Sequence, residues 1–380
     1  MFLKELRDFF VFFWKTPLKE KSIVFYSEHE GYFPNFEGVI KNLTVNQNKT
    51  ICYITSDFKD PIFFTSNAKI KPFYINKLLI LFMQIVKCDV LVMTLTDLNQ
   101  FHLKRSFNPV CYIYIFHSLV STTMMYRLGA FDHYDIILCA GKHQKKEIKL
   151  HEKQKMLNNK KLVETGYYRL ERIIDSYSNY LSQLNGLKNK KTTILIAPSW
   201  GNKNILETCG VELVNVLLAS NYNVIVRPHP ETVKRNQGLI KALENNFAKN
   251  PYFTLERSVF SDSSIIEADI LICDCSGIAI EYAFGTNRPV IFIDVPLKIQ
   301  NQNYKDLGME PLEVSIREKI GIIMKPDQLT KIPETISILL KNKKNYKKQI
   351  EDLRNEYVFS IGDSSEIAAQ EILNNIDRNI

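Results

Sequence analysis

The sequence predicts an α/β protein with two successive domains, each built on a parallel β-sheet flanked by helices. Short apolar runs alternate with helix-period segments along most of the chain, which is typical of parallel sheets with crossover helices. Residues 269–294 read as a complete strand, turn, helix and strand. With 380 residues, the chain is also too long for a single core of ordinary size, so we expect two domains.

The first domain is expected between residues 21 and 187. Its strands are predicted at residues 22–26, 50–55, 90–95, 111–116 and 136–140, with helices at 36–43 and 75–86. Each strand is a buried-type apolar run that ends in polar or glycine-containing residues. Polar side chains that follow such strands meet at one edge of a parallel sheet, where ligands bind in this class of fold.

The second domain is expected between residues 188 and 345, because residues 167–191 are mostly polar and end in a run of lysines. Its strands are predicted at 193–197, 224–226, 252–256, 270–273 and 290–293, with a helix at 205–220. Residues from 327 onward read as two helices, and segment 346–380 is expected to cross back to the first domain. Two such halves facing across a ligand-binding cleft predict the GT-B architecture of nucleotide-dependent transferases.

Composition indicates a globular protein, with 45% apolar and 24% charged residues. The net charge of +8 suits an anionic substrate or a membrane surface, and no nucleic-acid-binding motif is present. The seven cysteines lie mostly within apolar runs, which is typical of free thiols in a reducing cytoplasm. No metal site or cofactor is predicted, although Asp262 and Asp274 leave Mg²⁺ open.

Residues 1–20 combine phenylalanine, leucine and tryptophan with lysine and arginine. The apolar stretch is shorter than the roughly 18–20 residues that span a bilayer, and it lacks the features of a signal peptide. Aromatic side chains with basic flanks favour a helix lying on an anionic bilayer surface. The alternative is a first helix that packs on the protein's own core.

In the second domain, three predicted strand ends carry polar residues. Ser276 and Gly277 open a helix whose free N–H groups favour an anion, and Glu281, about one turn later, can reach a ribose hydroxyl. Arg227 can bind a phosphate with two hydrogen bonds, and His229 can add a hydrogen bond or a proton. Residues 199–201, which read Ser-Trp-Gly, follow a neighbouring strand. A structural turn capped by Ser276 is the alternative.

In the first domain, the first strand ends in a loop that contains His29, Glu30 and Tyr32. We expect this loop to bind the acceptor, because it lies at the carboxyl edge of the predicted sheet. His117 follows the strand at 111–116, and a neutral imidazole there can accept the proton of an attacking hydroxyl. A buried structural histidine is the alternative interpretation of His117.

These motifs together resemble the CDP-glycerol glycerophosphotransferase family of teichoic-acid and capsule polymerases and primases. The resemblance runs from about residue 111 to the end of the chain. The segments that carry it are His117, Phe131-Asp-His-Tyr-Asp135, Cys139-Ala-Gly141, Ile196-Ala-Pro-Ser-Trp200, Arg227-Pro-His-Pro230, Asp274-Cys-Ser276 and Arg288-Pro-Val-Ile291.

The resemblance implies a GT-B fold, a CDP-linked polyol as donor, transfer of polyol phosphate to an acceptor hydroxyl, and release of CMP. It implies that His117 and His229 are catalytic and that the Ser276 turn and Glu281 hold the nucleotide. Adding the strand ends, the expected donor-binding residues are Ser118, Ser199, Trp200, Gly201, Arg227, Asp274, Ser276, Gly277 and Glu281. The acceptor is expected to be a glycan or lipid-linked, reached from the inner face of the cell membrane.

Two departures from the family pattern leave alternatives open. His117 is followed by Ser118 and Leu119 where members usually have Gly-Thr-Pro and a lysine, and Gly277 replaces the second residue of a Ser-Ser pair. A GT-B glycosyltransferase that uses a CMP- or UDP-linked sugar is therefore the main alternative, with Glu28 or Glu30 as its carboxylate. A non-hydrolysing sugar epimerase and a non-catalytic scaffold of a capsule complex also remain open.

Overall fold

The computed structural model describes residues 1–183, 191–257 and 261–376, and these residues form two compact units. Unit 1 comprises Met1–His117, Tyr126–Arg169 and Val358–Ile380. Unit 2 comprises Ser118–Met125 and Leu170–Tyr357. The predicted domain boundary between residues 187 and 188 lies outside the described residues.

Unit 1 contains a parallel sheet of seven strands. In chain order the strands are β1 (Ile23–Ser27), β2 (Ile51–Thr55), β3 (Ile70–Tyr74), β4 (Val90–Met93), β5 (Cys111–Ile115), β6 (Ile136–Cys139) and β7 (Lys161–Glu164). Their order across the sheet is β3-β2-β1-β4-β5-β6-β7. The chain therefore reverses direction across the sheet between β1 and β4, the kind of switch point where α/β proteins bind ligands.

Helices cover the unit 1 sheet and bury its central strands. They are α1 (Phe2–Phe10), α2 (Phe33–Lys41), α3 (Leu79–Ile85) and α4 (Lys142–Lys155), and α5 (Tyr168–Gln183) leads from unit 1 into unit 2. Helices α1 and α2 each continue into a π-helical turn, Val11–Lys15 and Asn42–Asn46. Strands buried on both faces need near-continuous apolar residues, which is why β1, β2 and β4 were recognisable from sequence.

Unit 2 contains a parallel sheet of six strands. They are β8 (Thr193–Ile196), β9 (Asn223–Val226), β10 (Phe253–Leu255), β11 (Ile270–Cys273), β12 (Val290–Ile293) and β13 (Gly321–Met324), in the order β10-β9-β8-β11-β12-β13. The switch point lies between β8 and β11, which pair with Ile270 opposite Ile194. Polar residues after these two strands therefore emerge side by side.

The helices of unit 2 complete a second α/β layer arrangement. They are α6 (Ile205–Thr208), α7 (Gly210–Ala219), α8 (Pro230–Arg235), α9 (Gln237–Phe247), α10 (Ser263–Glu267), α11 (Gly277–Thr286), α12 (Leu312–Ser315), α13 (Arg317–Ile320), α14 (Ile332–Lys341) and α15 (Lys343–Tyr357). The helix predicted at residues 205–220 is thus two helices. The sheet faces and these helices share one core, in which Ile194, Ile272 and Leu213 are fully buried.

The C-terminal helix α16 (Ser364–Leu373) belongs to unit 1 and packs on α2. A Cβ at Gly38 would overlap Ser365 Oγ and the Tyr168 ring, so only glycine permits this close approach. Ala368 and Ile372 complete the unit 1 core. The α/β class predicted from sequence is confirmed.

Candidate functional site

The switch point of unit 2 brings two predicted strand-end segments into direct contact. Ser199 follows β8 and Asp274 follows β11, and the Ser199 N–H donates to Asp274 Oδ1 at 2.7 Å. Asp274 Oδ2 is buried and has no hydrogen-bond partner among the described residues. Burial therefore raises the pKa of the Asp274 carboxyl. This carboxylate fixes the loop that presents the next residue, Trp200.

Trp200 is the centre of a group of basic side chains. Its ring centroid is 6.0 Å from that of His229, 3.7 Å from Lys298 Nζ and 5.0 Å from Arg235 Cζ. Cations over an indole face are held by its quadrupole. Burial lowers the pKa of Lys298 to about 8, although the nearby carboxylates of Asp274 and Glu231 oppose this shift. We call Trp200, His229, Arg235 and Lys298 the tryptophan cluster.

His229 is oriented by the start of a helix. Its Nδ1 accepts from the Glu231 N–H at 3.1 Å, so the side chain caps α8. In the neutral imidazole the proton must then lie on Nε2. The role of His229 toward a ligand, expected from the sequence, stays a prediction.

Arg227 lies inside unit 2. It is 2% exposed, its Nη1 donates to Ser264 Oγ at 3.0 Å, and Glu256 Oε2 is 3.8 Å away. Through these contacts Arg227 links the end of β9 to α10. Its predicted role as a phosphate ligand stays a prediction.

Helix α11 begins beside the segment that follows His117 in the chain. Ser276 is its N-cap, and a Cβ on residue 277 would overlap Ser118 Oγ and lie 3.1 Å from Val120 Cγ1. Gly277 is therefore required by the position of residues 118–120. The two departures from the family pattern are structurally linked, because Ser118 occupies the space that a side chain at residue 277 would need.

A buried carboxylate holds residues 118–125 in unit 2. Glu313 is 2% exposed, and its two oxygens accept from the Ser121 N–H at 2.7 Å and the Ser121 hydroxyl at 2.8 Å. Asn301 Nδ2 adds a bond of 3.0 Å to the Thr123 carbonyl. Burial raises the pKa of Glu313. These bonds fix the backbone that places Ser118 against Gly277.

Two further predicted donor-binding residues of unit 2 differ in accessibility. Gly201 adopts a φ of +115°, and no atom lies within 4 Å of the position a Cβ would take. Backbone conformation alone therefore favours glycine there. Glu281 is buried within α11, so its predicted contact with a ribose hydroxyl stays a prediction.

Unit 1 brings together residues predicted from two separate strands. His29 and Tyr32 follow β1, and His117 follows β5. The Tyr32 ring centroid lies 4.4 Å from that of His29 and 5.2 Å from that of His117. The His29 Nδ1 accepts from the Gly31 N–H at 3.0 Å, and the Glu30 N–H donates to Asp57 Oδ2 at 3.2 Å. His29, Tyr32 and His117 therefore form one group of rings in unit 1.

His117 is held in its neutral form by its surroundings. Its Nδ1 is buried and has no hydrogen-bond partner among the described residues, and the Tyr126 ring lies 6.0 Å from its own. Burial lowers the pKa of His117 to about 4, and the positive charges of His29 and Arg169 contribute. When its proton lies on Nε2, a neutral imidazole with a free lone pair on Nδ1 is a chemically competent proton acceptor.

Sequence reasoning missed Lys298, Glu313 and Arg169. Each lies outside the regular strand ends, and each acquires its environment from residues far away in the chain, so no local pattern marks them. Among the described residues, no group of three or more His, Cys, Asp or Glu side chains is placed to hold a metal ion.

Comparison with known protein families gives a match over most of the chain. A model of the family described as CDP-glycerol:poly(glycerophosphate) glycerophosphotransferase matches residues 8–314. This span contains His29, His117, His229 and Asp274. No curated protein matches the sequence.

Comparison with solved structures shows the fold. The chain is similar to the wall teichoic acid polymerase TagF, with a TM-score of 0.62 and 14% identity over 100% of this chain and 98% of that chain. It is also similar to a UDP-GlcNAc 2-epimerase from Neisseria meningitidis, solved with UDP-GlcNAc, with a TM-score of 0.60 and 13% identity over 93% and 99% of the two chains. These likenesses confirm the predicted GT-B class.

Proposed function

Because the chain belongs to the CDP-glycerol:poly(glycerophosphate) glycerophosphotransferase family and is therefore a transferase, we propose that it moves glycerol phosphate from CDP-glycerol to an acceptor hydroxyl and releases CMP. The family match over residues 8–314 is the observation that carries this proposal. The acceptor is a cell-surface glycan or a lipid-linked precursor.

The proposed reaction is an in-line displacement at the distal phosphorus of the donor. The acceptor oxygen forms a new bond to that phosphorus, the bond to the bridging oxygen breaks, and CMP leaves with that oxygen. The acceptor proton passes to the neutral imidazole of His117. The low pKa of His117 supports this role, because the base is unprotonated throughout the neutral pH range.

Unit 2 supplies the residues that bind the donor. The tryptophan cluster carries the positive charge of Arg235 and Lys298, and His229 adds an N–H donor. Together with the N-terminus of α11, these groups can neutralise charge that moves onto the leaving phosphate. The expected roles thus divide between a proton acceptor in unit 1 and anion ligands in unit 2.

The donor assignment is tested by calorimetry and thermal unfolding against CDP-glycerol, CDP-ribitol, UDP-GlcNAc and a CMP-linked sugar acid. We expect CDP-glycerol to raise the melting temperature, because a ligand that binds the native state stabilises it by mass action. Release of one CMP for each glycerol phosphate transferred completes the test. A response to nucleotide sugars alone would contradict the proposal and favour a GT-B glycosyltransferase.

We further propose that unit 1 binds an anionic membrane surface through α1 and the turn that follows it. The helix is oriented with its carboxylates inward. Glu5 Oε1 accepts from the N–H groups of Asn76 and Leu78, both at 2.7 Å, and Asp8 Oδ2 accepts from the Tyr74 N–H at 3.0 Å. Phe9 and Phe12 pack inward on the same side, so the remaining apolar residues of the segment lie at the surface, which supports the membrane interpretation.

Six large apolar side chains of residues 2–18 are exposed, although Phe9 and Phe12 are buried. The exposed residues are Phe2, Leu3, Leu6, Phe10, Trp14 and Leu18, with Leu3 82% and Trp14 66% exposed. The i, i+4 spacing of Phe2, Leu6 and Phe10 places them on one face. Arg7, Lys15 and Lys19 are exposed nearby in sequence, so the surface combines apolar and cationic groups, as anionic lipid requires. No helix among the described residues is long and apolar enough to cross a membrane.

Co-sedimentation with vesicles tests this surface. We expect the full chain to bind phosphatidylglycerol vesicles more tightly than phosphatidylcholine vesicles, and the double variant Phe10→Glu/Trp14→Glu to lose this binding. Ile338→Glu, an exposed apolar position of unit 2, is the matched control. Unchanged binding of the double variant would overturn the proposal, and self-association of the wild type that this variant abolishes would assign the surface to a second copy instead.

A further inference from the structure

The Lys298 ammonium has a cation–π contact but no ion pair among the described residues. It lies on the connection after β12, half buried, with Nζ 3.7 Å from the centre of the Trp200 ring. Among the described residues no carboxylate lies within the 4.0 Å of an ion pair to this ammonium. The indole face gives it a weaker partner than a carboxylate or phosphate oxygen would.

The charges around Lys298 are few and can be named. Asp274 and Glu231 attract the ammonium and Arg235 repels it, while the His229 ring lies 6.0 Å from the Trp200 ring. Burial outweighs the two carboxylates and lowers the pKa of Lys298 to about 8. An ammonium in this state gains more from an added anion than a fully hydrated surface lysine does.

We propose that Lys298 is a ligand of the donor's diphosphate, and that Trp200 holds its ammonium at the carboxyl edge of the unit 2 sheet before the donor binds. This inference rests on the proposed function, since CDP-glycerol supplies the diphosphate. Three observations converge on this ligand class. Lys298 and Arg235 place two cations at one ring, the His229 ring lies 6.0 Å from the same ring, and α11 begins after the neighbouring strand β11.

The alternative is a lysine that only packs against Trp200. Methionine has a similar length and would keep that packing while removing the charge, so Lys298→Met separates the two roles. Lys298→Arg retains the charge. Lys305→Met is the matched control, because Lys305 lies on the same connection, is exposed, and has its Nζ 5.8 Å from the Tyr304 ring.

The four proteins are titrated by calorimetry with CDP-glycerol, CDP, UDP, CMP and inorganic pyrophosphate, and their melting temperatures are compared. We expect Lys298→Met to lower the affinity for diphosphate-containing ligands about 10- to 100-fold, the usual effect of losing a charge-assisted hydrogen bond. CMP binding should change far less. Lys298→Arg should recover most of the affinity, and Lys305→Met should behave as wild type.

A second measurement does not depend on how the variant folds. Near pH 8 about half of the Lys298 side chains in the free protein are neutral, and a bound diphosphate would protonate them. Calorimetry of the wild type in buffers of different ionisation enthalpy should therefore show proton uptake with CDP and less with CMP.

The outcomes separate this inference from the donor assignment. Equal affinities of the wild type and Lys298→Met, or an equal loss for CMP and CDP, would overturn the role of Lys298. Binding of UDP compounds alone, lost in Lys298→Met, would remove CDP-glycerol as donor while leaving Lys298 as a diphosphate ligand. A wild type that binds no diphosphate would overturn both.

Discussion

The two units each place a histidine after a strand of a parallel sheet, but they surround it with opposite chemistry. In unit 1, His117 lies among Tyr32 and Tyr126, and its Nδ1 lacks a partner among the described residues. In unit 2, His229 has its Nδ1 occupied by a backbone N–H and shares Trp200 with Lys298. The first environment keeps an imidazole neutral, and the second collects positive charge.

One fold used twice can thus supply two chemical environments, and the proposed reaction needs both. A phosphoryl transfer needs a proton acceptor for the attacking hydroxyl and positive charge for the transferred group. Burial among aromatic rings provides the first because it disfavours the imidazolium ion. A tryptophan face that holds cations without neutralising them provides the second.

The largest effect should follow from removing the proton acceptor. We expect His117→Asn to lower kcat for glycerol phosphate transfer by about 10²- to 10⁴-fold, because general-base assistance is lost. The Kd for CDP-glycerol should change little, since the proposed donor ligands lie in unit 2. The measurement is CMP release at saturating donor together with calorimetric titration.

His102→Asn is the control for this variant, because His102 is an exposed histidine of unit 1. If His117→Asn weakened donor binding but kept the rate at saturation, the assignment of proton transfer to unit 1 would fail. His229 would then become the candidate proton acceptor.

A smaller effect is expected from Gly277→Ser, which adds a Cβ where Ser118 Oγ already lies. Overpacking of this kind costs about 1–3 kcal/mol, which would appear as a lower midpoint in urea unfolding. The double variant Gly277→Ser/Ser118→Gly should recover most of the loss, because the second change removes the overlapping hydroxyl.

The control for this pair is Gly238→Ala, an exposed helical glycine with only Asn236 Oδ1 near the position of a Cβ, at 3.9 Å. It should not destabilise the protein. Additive effects of the changes at 118 and 277 would show that these positions do not compete for space.

The last prediction concerns pH. The folded pKa of His117 is below its ordinary value of 6.5, so the unfolded chain binds this proton first as pH falls. His117 therefore costs stability progressively from about pH 6.5 down to about pH 4. As pH falls from about 6.5 to about 4, the unfolding free energy of the wild type should decrease relative to that of His117→Asn. An NMR titration of His117 with a midpoint near 6.5 would contradict the neutral-imidazole interpretation.

Most of the fold could be predicted from the sequence, because the central strands are buried on both faces. Their apolar runs ended within two residues of the observed strands. The strands β3, β7 and β13 were missed. All three are edge strands, and β7 in particular is half exposed and begins and ends with charged residues, Lys161 and Glu164. An edge strand needs no continuous apolar run, so local pattern does not reveal it.

The site was predictable in part for a related reason. Ser199, His229 and Asp274 lie within three residues of the ends of buried strands, and parallel topology brings such residues to one edge. Lys298 and Glu313 are defined by contacts with Trp200 and Ser121, which lie about 100 or more positions away in the chain. Their surroundings are a product of tertiary packing, and no spacing rule encodes them.

Helix α1 has a consequence for engineering the protein. Since Glu5 and Asp8 make anchoring hydrogen bonds and Phe9 and Phe12 are buried, the exposed apolar residues contribute little to holding the helix in place. Polar replacements at Leu3, Leu6, Phe10 and Trp14 should therefore yield a detergent-free enzyme that keeps its fold and its turnover of soluble acceptor analogues. Recruitment to lipid would then be a separable module.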